Sequence, residues 1–175
     1  MTVTVKSKNE IAQMREAGRL NAEVRQILLE AVRPGVTGRE LDALAKREIA
    51  KRGAEPTFVG YGPGGRPPYP GAICFSVNEE LVHGIPGDRA LRDGDIVSVD
   101  LGVTYHGWVS DAAFTCGVGE GVPAEAVELM RVTEASLWAG IEQASPGNYL
   151  GDISSDRKST RLNSSHVALS RMPSS

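Results

Sequence analysis

Apolar residues recur at intervals of three and four along three stretches of the chain, a spacing that predicts amphipathic helices. The first stretch follows Ser7-Lys-Asn-Glu10, which has the form of a capping box, and ends at Pro34-Gly35. The second follows another capping box, Thr37-Gly-Arg-Glu40, and ends at Gly53. The third begins at Pro123. We expect the apolar side of each helix to pack into a core.

Between the second and third predicted helices the pattern changes to short apolar runs that are typical of strands. Residues 72–77 predict one strand, and residues 81–83 predict a short second strand. Two longer runs, 96–103 and 108–115, flank the turn Tyr105-His106-Gly107. Because glycine adopts positive φ without strain, these two runs predict a β-hairpin.

Each strand of this hairpin carries one acidic residue, Asp100 or Asp111, although aspartate is a poor strand residue. A two-residue turn centred on Tyr105-His106 would place the two carboxylates opposite each other on one face, with Cα atoms about 4.5–5.5 Å apart. Bare carboxylates this close repel each other, so the pattern favours a divalent metal, or a pair of metals, between them. The alternative is that both acids simply face solvent from a half-exposed sheet.

Residues 54–71 are rich in glycine and proline and predict a loop. The chain of 175 residues carries a net charge of −3, which gives no electrostatic footprint for nucleic acid or for an anionic membrane. Cys74 and Cys116 lack the Cys-x-x-Cys spacing, and no apolar run approaches the length of a transmembrane helix. A reduced, cytoplasmic protein is the expectation.

Three motifs in order resemble those of the type I methionine aminopeptidases. They are Ser76-Val-Asn-Glu-Glu-Leu-Val-His83-Gly-Ile-Pro86, Asp93-Gly-Asp-Ile-Val-Ser-Val-Asp100, and Asp111. The resemblance covers residues 1 to about 154. It implies a pita-bread, creatinase-like α/β (α+β) fold, with the first pseudo-symmetric half of a curved antiparallel sheet and its covering helices.

The resemblance also implies roles for individual residues. Asp100 and Asp111 would be ligands of two divalent metal ions, with Co, Mn, Fe and Zn as candidates. His83 would be a catalytic residue that contacts the substrate. Tyr69 and Cys74 would line the pocket for the methionine side chain, although Cys74 can also be read as a small buried residue and the loop before Tyr69 looks longer than usual for this family.

Arg33-Pro-Gly-Val-Thr-Gly-Arg-Glu-Leu41 and Ser145-Pro-Gly-Asn-Tyr-Leu-Gly-Asp-Ile153 look like two copies of one helix-linking unit, 112 residues apart. In the resembled fold the remaining metal ligands, one histidine and two glutamates, follow the second copy, and we expect them to be absent here. Residues 156–166 resemble the translation of a sequencing-adapter read, although a natural basic, serine-rich tail is the alternative. We therefore expect residues 1–155 to form the N-terminal part of a catalytic domain and residues 156–175 to be a non-native, disordered tail.

The resemblance implies a metalloaminopeptidase that removes the initiator methionine from nascent polypeptides at the ribosome. A cytoplasmic monomer with no nucleic-acid or membrane partner is expected for the full-length protein, and no activity is expected for the chain alone. Two alternatives stay open: a proline-specific aminopeptidase or creatinase of the same fold, and a metal-free binding module. The presence of both aspartates disfavours the binding module.

Overall fold

A computed structural model gives the fold of the protein and describes residues 4–155. Helix α1 spans Lys8–Ala31 and helix α2 spans Gly38–Lys51. Both predicted capping boxes are confirmed, because the Ser7 and Thr37 hydroxyls accept the backbone N–H three residues on, and the Glu10 and Glu40 carboxylates accept the N–H of the cap. Each helix ends two or three residues before the predicted stop.

The strands are β1 (Glu55–Pro56), β2 (Ile73–Val77), β3 (Ile96–Tyr105) and β4 (Trp108–Gly117), and all their pairings are antiparallel. Strand β4 pairs with the whole length of β3. Strands β1 and β2 pair with successive parts of β3, so they lie end to end along its other edge. The central strand of the sheet is therefore β3.

The core lies between α1, α2 and one face of this sheet. Val97, Val99, Leu101 and Val103 alternate along β3 and are fully buried against the helices. Because successive side chains of a strand point to opposite faces, Asp100 lies on the other face, away from the helices. The apolar stripe of β3 thereby fixes which of its residues can form a site.

The predicted strand at residues 81–83 is wrong. Val82 and His83 have φ of 43° and 54°, in the left-handed region, and the Leu81 and Val82 side chains are exposed. The chain instead turns back after β2, and the Gly84 carbonyl accepts a hydrogen bond from the Phe75 N–H of β2. A β-branched residue with positive φ is uncommon, so the residue types gave no sign of this turn.

The described residues divide into two compact units, with the division between Val122 and Pro123. In the second unit, α3 spans Ala124–Glu142, and Pro123 occupies its N-cap position as the sequence predicted to within one residue. Among the described residues, no helix has an apolar stretch that could cross a bilayer. The predicted tail, 156–175, lies outside the described residues, so the proposed boundary at residue 155 stays a prediction.

Asn21 links α1 to the hairpin from inside the core. Its side chain is 1 % exposed, and its Nδ2 donates to the carbonyls of Leu101 and Ser110 at 3.0 and 3.1 Å. A buried carbonyl that loses its donor costs about 1–3 kcal/mol.

We therefore expect Asn21→Ala to lower the free energy of unfolding by about 1–3 kcal/mol. Urea unfolding of the 175-residue chain, followed by far-UV circular dichroism, measures this loss. Gln13→Ala, at an exposed position of the same helix, is the matched control and should change stability by less than about 0.5 kcal/mol. Equal effects of the two substitutions would contradict a structural role for Asn21.

Candidate active site

A pocket of about 360 Å³ opens on the face of the sheet that points away from the helices. Strand β2 contributes Cys74, β3 contributes Asp100 and β4 contributes Asp111, and His83 lies in the turn after β2. The remaining lining comes from the loop before β2: Phe58, Tyr61, Gly62, Pro63, Arg66, Pro67 and Tyr69. All five residues predicted to form the site therefore line one pocket.

Asp100 and Asp111 lie on the same face of the hairpin, but they are not directly opposite each other as predicted. The turn is His106-Gly107, with φ of 49° and 80°, so Asp100 pairs with Ala113 and Asp111 pairs with Gly102. The two acids are thus diagonal neighbours, displaced by two residues. Diagonal side chains remain within reach of each other, and both carboxyls line the same pocket.

The environment of Asp100 opposes ionisation of its carboxyl. Burial, the hydrogen bond to Asp111 and the charge of Asp111 raise the pKa of Asp100 to about 6, and the charge of His83 partly offsets this. Desolvation and a like charge both disfavour the anion. A cation bound between the two carboxyls would remove this penalty.

His83 is held in the left-handed region by contacts of the residue that follows it. The Gly84 N–H donates to the Ser76 hydroxyl at 3.2 Å, and the Gly84 carbonyl accepts from the Phe75 N–H at 2.8 Å. A Cβ on Gly84 would lie 2.1 Å from the Phe75 carbonyl oxygen, so only glycine allows this approach. The Gly84 of the His-Gly-Ile-Pro motif is therefore what brings His83 to the pocket.

Tyr69 and Cys74 contribute packing surface to the pocket. The Tyr69 hydroxyl donates to the carbonyls of Gly84 and Ile73, at 2.8 and 3.0 Å, so it ties the loop to the His83 turn. Cys74 is directly opposite Asp100 in the β2–β3 register and is 6 % exposed. Burial raises the pKa of the Cys74 thiol, which keeps it uncharged and a poor nucleophile at neutral pH.

Phe58 and Arg66 were not among the predicted site residues. Gly102 could have indicated the position of Phe58 from the sequence, because a glycine inside a strand often marks the close approach of another group. A Cβ on Gly102 would lie 2.7 Å from the Phe58 ring, so the missing side chain makes room for this aromatic wall. No comparable signal existed for Arg66, because its position depends on how the loop folds back.

The metal-binding capacity of the described residues is limited to this carboxylate pair. Within residues 4–155, no cluster of three or more histidine, cysteine, aspartate or glutamate side chains has the geometry to hold a metal ion. The pair itself fits a hard or borderline divalent cation, because two oxygen donors meet where one carboxyl resists ionisation.

A family model, that of metallopeptidase family M24, matches residues 12–159. The chain belongs to metallopeptidase family M24. M24 membership agrees with the predicted pita-bread fold, which the solved structures confirm. The methionine aminopeptidase of Rickettsia prowazekii superposes with a TM-score of 0.86 at 33 % identity, over 93 % of this chain and 63 % of that one.

Curated relatives of this chain include methionine aminopeptidases. Those of Clostridium perfringens and Bacillus subtilis are 47 % and 45 % identical, over 88 % and 87 % of this chain. The chain spans about 59 % of the length of either relative. The prolidase of Pyrococcus furiosus superposes with a TM-score of 0.77 at 21 % identity, which shows the shared fold alone. The resemblance to methionine aminopeptidases rather than to proline-specific enzymes is confirmed.

The raised pKa of Asp100 predicts how stability depends on pH in the absence of metal. Between pH 4 and 6 the folded state keeps the Asp100 proton while the unfolded state releases it, so this group's contribution to stability falls as the pH rises. Asp100→Asn removes this dependence. We therefore expect the stability of the variant, relative to the original chain, to rise from pH 4 to pH 7 in EDTA.

Urea unfolding of both proteins across this pH range measures the difference. Asp88→Asn is the control, because the Arg39 guanidinium lowers the pKa of Asp88 below its ordinary value of 3.8, so the contribution of Asp88 to stability changes only under more acidic conditions. Its difference from the original chain should therefore stay constant from pH 4 to pH 7. A difference between Asp100→Asn and the original chain that is constant with pH would contradict the assigned environment.

Proposed function

We propose that this chain carries part of the active site of a methionine aminopeptidase, which removes the initiator methionine from newly made polypeptides. The observation that carries the proposal is the convergence of Asp100, Asp111 and His83 on one pocket whose other walls are aromatic and sulfur-bearing. The names and identities of the M24 relatives support it.

Asp100 and Asp111 would hold two divalent metal ions together with further ligands, and Co, Mn, Fe and Zn are all compatible with carboxylate ligation. Bound metal would supply Lewis acidity for the scissile carbonyl and lower the pKa of a nucleophilic water. The two carboxylates would also attract the ammonium group of the peptide N-terminus. Their diagonal placement on adjacent strands keeps both donors on a rigid part of the sheet.

His83 would donate a hydrogen bond to the substrate and stabilise the negative charge that develops on the scissile group. Its position beside Asp100 supports this role, because its charge acts on that carboxyl. The fixed turn around Gly84 would hold the imidazole in place before the substrate arrives.

The methionine side chain would lie against Phe58, Tyr69 and Cys74. A thioether makes favourable contacts with aromatic rings and adapts to irregular apolar walls. The Tyr69 hydroxyl is already engaged by backbone carbonyls, so the ring provides the contact surface. Nascent polypeptide N-termini at the ribosome would be the partners of a monomeric, cytoplasmic enzyme, with no need for nucleic acid or membrane.

Because the chain spans about 59 % of its relatives, a chimera tests the proposed function. Residues 1–155 would be joined to the part of the Clostridium perfringens enzyme that lies beyond the matched region. We expect the chimera, supplied with Mn or Co, to release methionine from a Met-Ala peptide, and the 175-residue chain alone to be at least about tenfold less active because a two-metal site needs more donors.

The control for this experiment is the pair of substitutions Asp100→Asn and Asp111→Asn, which should reduce turnover to background while Asp88→Asn leaves it unchanged. Circular dichroism would establish that every variant is folded. A folded chimera that releases no methionine, or one whose activity survives the loss of both aspartates, would contradict the proposal.

His83 has a separate kinetic prediction in the same chimera. If it stabilises the transition state, His83→Ala should lower kcat and kcat/KM together by about 10²–10³-fold. His106→Ala, at the exposed tip of the hairpin, is the control and should leave both constants unchanged. An unchanged kcat with a raised KM would assign His83 to ground-state binding instead.

A further inference from the structure

The loop between β1 and β2 places a permanent cation in the wall of the candidate active site. Arg66 lines the same pocket as Asp100, Asp111 and His83. The ion pairs within residues 4–155 engage five other arginines, at positions 19, 39, 52, 89 and 131, but not Arg66. Arg66 is the arginine in the lining of this pocket.

The backbone around Arg66 is fixed by hydrogen bonds and by proline. The Gly60 N–H donates to the Tyr69 carbonyl at 2.9 Å, and the Tyr69 N–H donates to the Tyr61 carbonyl at 2.8 Å, so the base of the loop is closed. Pro67 restricts the residue before it to extended backbone, and Arg66 has φ −72° and ψ 149°. The cation is therefore presented by a pre-organised loop.

Close packing inside the loop supports the same conclusion. A Cβ on Gly62 would lie 2.7 Å from the Arg66 carbonyl oxygen, so the two backbone segments touch across the loop. The Tyr69 hydroxyl then anchors the loop to the Gly84 and Ile73 carbonyls. A site held in this way loses little conformational entropy when a ligand binds.

The Asp100 side of the pocket lies deeper than the loop. Cys74 is buried and Asp100 is half-buried, whereas Asp111 and residues 61–68 of the loop are exposed. A peptide whose N-terminal ammonium and scissile bond lie at the carboxylates would extend outward, with each extended residue spanning about 3.3–3.6 Å. Its later residues would pass the loop that carries Arg66.

We infer that Arg66 is a specificity-determining residue that favours peptides with acidic side chains at the second and third positions after the N-terminal methionine. This inference rests on the proposed function of the pocket. A guanidinium recognises a carboxylate through paired N–H donors, and an isosteric amide lacks the charge. The sequence pattern Met-Ala-Asp-Asp would therefore bind better than Met-Ala-Asn-Asn.

The test compares these two peptides, both amidated at the C-terminus so that they differ only in side-chain charge. Binding to the 175-residue chain in EDTA would be followed by NMR chemical-shift titration, which requires no catalysis. We expect the acidic peptide to bind about two- to fivefold more tightly, as a partly exposed ion pair allows. The preference should shrink between about 0.01 M and 1 M salt, where the Debye length falls from about 30 to 3 Å.

Three variants identify the source of the preference. Arg66→Gln should abolish it and Arg66→Lys should retain part of it, whereas Arg47→Gln, at an exposed arginine outside this pocket, should leave it intact. Equal binding of the two peptides, or a preference that survives in Arg66→Gln, would overturn the inference and leave the proposed function standing. Failure of both peptides to bind would overturn the inference together with the peptide-binding role of the pocket.

Discussion

The two faces of strand β3 lie in different environments, one in the core and one at the candidate site. Its apolar side chains, from Val97 to Val103, are fully buried in the core that the sheet shares with α1 and α2. The intervening residues must face the other way because side chains alternate along a strand. Asp100 lies on the site face for this reason, and it could not move to the helix face without burying its carboxylate in the core.

Pairing with β3 aligns the side chains of β2 and β4 on the same two faces of the sheet. The register of β2 sets Cys74 opposite Asp100, and the register of β4 sets Asp111 opposite Gly102. Three side chains from three strands therefore meet on one face without any loop to position them. The raised pKa of Asp100 is the electrostatic cost of this convergence, and it marks the point where a cation would stabilise the fold as well as supply chemistry.

The helices, the hairpin and the shared face of the two aspartates could be predicted because each depends on local pattern. The predicted pairing register of β3 with β4 was wrong because His106 adopts a positive φ, which places the turn one residue later than expected. Moving a two-residue turn by one position shifts each pairing by two, so the two acids stayed on one face although they are no longer opposite. The prediction that Asp100 and Asp111 share one face was still correct, because the side-chain period of a strand is also two.

Other parts of the site depend on contacts between distant segments, and these are not visible in a local pattern. The strand predicted at residues 81–83 failed because Gly84 approaches Phe75 so closely that the preceding residues must turn through left-handed conformations. The position of Arg66 likewise follows from the closure of the loop at Gly60 and Tyr69.

Tyr69 connects these distant segments, and its hydroxyl explains why the pocket has a defined shape. By donating to the Gly84 and Ile73 carbonyls, it joins the proline-rich loop to the turn that carries His83 and to the start of β2. Loss of the hydroxyl would leave the aromatic wall in place but would release the loop from the His83 turn. The ring and the hydroxyl thus act separately: the ring supplies apolar surface for a side chain, and the hydroxyl fixes the distance between that surface and the polar groups beside it.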